Sequence, residues 1–245
     1  FFFFFFFFFF PARIRWLCQD LPLPDLVALL LGCMVLQPEA LSDLSLYLDN
    51  EKIHWQHTAR GHASYLLAHL MEQHTDRVPD AVIDAVLNSL SDSTHFLTLE
   101  ASMYVIRTFS EPLRLAADHA KLLSALTDLS HAAATTSFTH QPERDIVTAR
   151  LILLFSSMLR MLPHDTVVAL LDQILSTLSA DDPPPSHFSL SVGLIALENV
   201  CDVVFGEQPD FSLHRTLRNY AIPFFQQLRA LKALVLYSAP GSDFG

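Results

Sequence analysis

Along most of the chain, apolar residues recur every three or four positions, and runs of strict alternation are hard to find. That spacing lines apolar side chains along one face of a helix; a half-buried strand would need a period of two. It predicts helices over 25–37, 39–48, 51–74, 80–90, 95–109, 112–130, 143–162, 164–179, 186–205 and 211–237, the last kinked at Pro223. Pro24, Pro38, Pro79, Pro112, Pro142 and Pro163 each stand at or just before one of these patterns. A proline is tolerated there because the first N–H groups of a helix have no intrahelical partner. Connections are short except near 133–141 and 181–186, where Pro183 to Pro185 mark an exposed loop.

The pattern also repeats. The stretch Ala81 to Ser91 aligns without gaps on Ala169 to Ser179, and Ala120 to Ser130 fits the same frame. Shared positions are a leading Ala, an apolar third residue, Leu at the seventh and tenth, and a closing Ser. The copies start about 39 and about 49 residues apart. The alternate helices carry a second frame, a small residue before an apolar run: Ala63, Ala101, Ala149 and Gly193, spaced by about 38, 48 and 44. Small residues let helix axes approach, and the run behind them fills the seam. His95-Phe96 and His187-Phe188 open equivalent helices of this second set.

Helix, tight turn, second helix with an early small residue, and a period of roughly 40 to 47: the chain resembles the HEAT/armadillo superfamily. The resemblance covers most of 25–238 and implies an all-α fold, a right-handed α-solenoid of about ten helices stacked as antiparallel pairs. The family often places an Asp in the turn and an Arg early in the second helix. Here Asp49 and Asp92 sit at turns and Arg60 holds the Arg place, but Thr98 and Ile146 stand where the next two would be. That departure is nearer a generic armadillo-like pattern than a strict HEAT one.

Composition refines the picture at the ends. Residues 1–10 are all Phe, which inflates the 51% apolar share. A uniform tract specifies no fold, so 1–10 is expected to be an artefact of translation or a disordered run, and 11–24 a lead-in. The repeat domain spans 25–238, and 239–245 is a truncated tail, so the expectation is a piece of a longer protein. The longest plain apolar run, Leu26 to Leu36, is well short of the ~20 residues a membrane span needs.

The net charge is −11, which opposes binding to nucleic acid or to anionic membranes and favours a basic protein segment. Cys18, Cys33 and Cys201 are too few and too scattered for a disulfide framework or zinc site, pointing to a reducing intracellular compartment, cytoplasmic or nuclear.

Catalytic signatures are absent from the sequence. It contains no nucleophile elbow, phosphate loop, dinucleotide fingerprint or His-Glu-x-x-His. Five histidines (His54, His57, His62, His69, His74) fall on one expected helix, but only His62 and His69 share a face, about two turns apart, and no third ligand joins the one-turn pair His54 and His57. No enzyme, cofactor or metal is expected.

The resemblance implies protein binding as a scaffold or adaptor, with the second helices lining the concave side. Candidate contact residues there are Arg60, Glu100, Arg107, Arg150, Arg160 and Glu198. Asp43, Asp84 and Asp172 recur in the first helices and read as a solvated face or as a broken acidic stripe. Three alternatives remain: a transport-receptor-like segment for basic cargo, a structural spacer in a longer solenoid, and a helical enzyme or metal protein.

Overall fold

A computed structural model of the chain describes residues 22–36, 58–92, 95–179 and 187–205, with single positions at 218, 220, 223, 224 and 226. Among the described residues every regular element is helical. In chain order these are α1 (Leu23–Cys33), α2 (Ala59–Gln73), α3 (Val78–Asp92), α4 (Phe96–Thr108), α5 (Ser110–Ala116), α6 (His119–Thr135), α7 (Gln141–Ser157), α8 (His164–Ser179) and α9 (His187–Phe205). A 3₁₀ turn, Leu159–Met161, separates α7 from α8. The expected helix 39–48, the first residues of 51–74, the loop 181–186 and nearly all of 211–237 lie outside the described residues. So do the Phe tract, most of the lead-in and the tail.

Helix starts are fixed locally. Thr58 caps α2 by accepting from the Gly61 N–H at 3.0 Å. His95 Nδ1 accepts from the Leu97 N–H at the head of α4. At α7, Glu143 reaches back to the N–H groups of Thr139 and His140, at 2.8 and 3.3 Å. This is the returning half of a capping box. The spacing predicted one helix over 112–130; the structure has two, α5 and α6. The chain turns at Ala117, and Asp118 caps α6 by accepting from the N–H groups of Ala120 and Lys121 at 2.8 and 3.1 Å. An Asp that satisfies two orphan donors competes with helix continuation, which is why the apolar pattern ran past it unbroken.

The chain divides after Leu151 into two units, and the boundary falls inside α7. In the first unit α1 packs on α3, and α3 on α6, so three helices of the first set lie side by side. Each has a companion behind it: α2 contacts α1, and α4 contacts α3. The short α5 bridges α3, α4 and α6. The core of this packing is α4. Every residue from Leu99 to Ile106 is buried, so this helix has no solvent face over two turns.

In the second unit α8 and α9 pack against each other, and the 3₁₀ turn touches α9. At Gly193 a Cβ would lie 2.7 Å from Leu178 Cδ2, so a larger residue there would force Leu178 to shift.

Burial follows the repeat frames. Ala63, Ala101, Ala149 and Gly193 are all buried. In the first frame the third position (Ile83, Leu122, Leu171) and the sixth (Val86, Ala125, Ile174) are wholly buried in every copy. Equivalent positions thus do equivalent packing, although only the third was singled out by the apolar pattern.

Candidate functional site

Two features of the first unit are built from polar groups. The first is an ionic cluster at the back of the stack, where α2, α4 and α7 meet. Glu100 is wholly buried on α4. Arg60 on α2 grips it with two guanidinium nitrogens, one per carboxylate oxygen. Arg150 on α7, also wholly buried, donates to Oε1 through Nε at 3.1 Å and Nη2 at 2.8 Å. Arg60 Nε donates to the Met34 carbonyl at 2.6 Å, tying in the end of α1.

Tyr104, one turn beyond Glu100, lies under both cations. The Arg60 guanidinium carbon is 4.1 Å from its ring centre and that of Arg150 is 5.2 Å. The ring face offsets the excess of two cations over one carboxylate. The Tyr104 hydroxyl lies 3.1 Å from Ser64 Oγ. Buried charge is tolerable only when paired, and here both arginines bond the Glu100 carboxylate.

Three of the residues nominated as a binding surface, Arg60, Glu100 and Arg150, are brought together by pairing with one another, Glu100 and Arg150 wholly buried and Arg60 partly so. Arg107 on α4 is half-buried in the same unit. In the second unit Arg160 is half-buried on the 3₁₀ turn and Glu198 is exposed on α9.

The second feature is a groove of about 980 Å³ at the front, walled by α1 and α3 with α4 at its floor. Small side chains hollow it out: Ala28 and Gly32 on α1, Ala81 and Ala85 on α3, Ala101 and Ser102 on α4. A Cβ on Gly32 would meet nothing within 4 Å, so this glycine opens space where Gly193 closes it. Its rim carries Asp25, Asp76, Asp80 and Asp84 against one cation, Arg77.

Asp84 was the only rim acid the repeat pattern had flagged. The missed signal is the spacing of four between Asp80 and Asp84, which places them one turn apart on α3, with Asp76 in the turn just before it. Two rim acids are also tied to the neighbouring helix α6. Asp80 accepts from the Asp118 N–H at 2.9 Å, and Asp84 holds Lys121 Nζ at 3.0 Å, raising the lysine's pKa through that hydrogen bond.

In the second unit Asp172, at the frame position of Asp84, accepts from the Tyr220 hydroxyl at 2.9 Å. Burial, and then that bond, push the phenol's pKa up. Ser156 and Asn199 are linked at 2.8 Å.

Among the described residues no group of three His, Cys, Asp or Glu is placed to hold a metal ion, and no helix is long and apolar enough to cross a membrane. His62 and His74 are exposed, and His69 lies 3.8 Å from Glu72 at the surface. Compared with family models, curated proteins and solved structures, the chain matches none.

Proposed function

We propose that the chain is a protein-binding scaffold or adaptor built on a HEAT/armadillo-like right-handed α-solenoid. One observation carries the reading: side-chain bonds join equivalent helices at about the repeat period. Ser64 meets Tyr104 and Arg60 meets Glu100 at a separation of 40, Asp84 meets Lys121 at 37, and Ser156 meets Asn199 at 43. A helix pair that cannot bury its own apolar face needs neighbours, and such links hold the neighbours in register. Stacks of this kind offer extended surfaces, and proteins use these mostly to hold other proteins.

The shape is tested by small-angle X-ray scattering. A compact chain of 245 residues has a radius of gyration of about 18 Å. A value well above that supports a solenoid, and one near it overturns the solenoid. The function is tested by proximity labelling with the full chain in cells. Recurrent protein partners that weaken with Glu198→Lys or Arg107→Glu, at unchanged melting temperature, are expected. No recurrent partner would refute the scaffold role. Glu100 and Arg150 are unsuitable probes, because reversing a wholly buried charge disrupts the fold.

A further inference from the structure

Resting on the scaffold reading, we infer that the groove between α1 and α3 is a docking site for a cationic, amphipathic helical segment of a partner protein. The volume is of the size that accepts a few side chains, about 980 Å³. Small residues (Ala28, Gly32, Ala85, Ala101) with Leu31 form the apolar part of its lining, beside polar Asn88 and Thr98, and leave room for side chains from outside. The space at Gly32 is open, since an added Cβ there would touch nothing within 4 Å. Glycine in a helix costs about 1 kcal/mol relative to alanine. At Gly193 tight packing explains it, and at Gly32 packing does not.

The charge selects the partner. Asp80 and Asp84 lie one turn apart on α3, and Asp76 stands in the turn just before that helix begins. Asp25 faces them from α1, with Arg77 the one cation of the walls. Acids on both walls are matched by Lys or Arg flanking an apolar stripe of a second helix that enters the groove. A single small cation would engage one or two of these carboxylates and leave the apolar floor uncovered. Asp80 and Asp84 already serve Asp118 and Lys121, so Asp25 and Asp76 make the direct contacts and the other two add field.

The probe is a displayed library of 16-residue helical peptides, selected on the full 245-residue chain. Affinities of enriched peptides are then read by fluorescence polarisation. Two variants report on the groove. Gly32→Leu fills it from a position with room for a side chain, and Asp25→Asn with Asp76→Asn removes charge at constant shape. Circular dichroism confirms that both fold.

Enriched peptides are expected to carry several Lys or Arg beside apolar residues. Their affinity is expected to fall at least tenfold with Gly32→Leu and several-fold with the double Asn variant, and to weaken as salt rises. Enrichment without a basic bias, no enrichment, or equal affinity for both variants overturns the inference. So does a wild-type dimer that Gly32→Leu converts to monomer, because a second copy would then be the occupant. If cellular partners found by proximity labelling persist with both variants, the groove assignment fails and the scaffold reading stands. If no recurrent partner is found, both fail.

Discussion

Arg150 and Glu100, fifty residues apart in the chain, meet with both side chains wholly out of water, and Arg60 closes on the same carboxylate from the other side. The cluster ties α2, α4 and α7 together at the one level where α4 is buried all round. Neutralising Glu100 leaves two arginines facing each other without their anion. Glu100→Gln should therefore lower stability by about 3–5 kcal/mol, the usual cost of stranding a buried charge. Replacing all three with apolar residues of similar size (Arg60→Met, Glu100→Leu, Arg150→Met) removes the stranded charge and should recover most of that loss. Urea denaturation of the two variants decides it. A harmless Glu100→Gln would mean that water reaches the cluster.

The cluster also marks the limit of what the sequence reveals. A charged residue in an amphipathic pattern reads as solvent-facing, because most helices have such a face. In α4 the run from Leu99 to Ile106 has none, and nothing in the spacing says so. The available hint is position: Glu100 and Arg150 adjoin Ala101 and Ala149, the small residues where helices come closest. Those small residues were legible because they recur at the repeat period. So was the helix over 164–179, where Pro163 and strong apolar spacing agree. The break at Ala117 was not, since Leu115 and Leu122, seven residues apart, keep the helical period across it.

That break rests on Asp118. Its carboxylate serves two N–H groups of α6, and its own N–H goes to Asp80 on α3. Asp118→Ala should cost about 1 kcal/mol through the lost cap. Asp118→Asn should cost clearly less, because it keeps an acceptor and the backbone N–H. Thermal melts of the pair separate capping from charge. Equal losses would show that the negative charge, not the cap, matters.

Gly32 and Gly193 should respond in opposite directions. Gly32→Ala adds a methyl group to open space in a helix and should gain roughly 0.5–1 kcal/mol from helix propensity. Gly193→Ala forces the buried Leu178 aside and should lose about 1–3 kcal/mol, less the same propensity gain. Chemical denaturation gives both signs. In a Leu178→Ala background, itself destabilised by a cavity, the Gly193→Ala penalty should vanish. Its persistence would place the obstruction elsewhere.

Tyr220 and Asp172 give a pH-dependent prediction. Burial first, and then the bond to Asp172, hold the phenol's pKa above its ordinary value. The folded chain thus keeps this proton at a pH where the unfolded chain has begun to lose it. The sign follows from linkage: the contribution is complete below the unfolded phenol's pKa of about 10, and it is lost as pH rises through the folded value. Ultraviolet difference titration near 295 nm should show one tyrosine ionising late. Asp172→Asn removes the charge that opposes phenolate, so the late step should move to lower pH without reaching the ordinary value, because burial remains. It should also flatten the loss of stability above pH ~10. A late step that does not move with Asp172→Asn would assign the whole shift to burial and make the link between these two positions electrostatically silent.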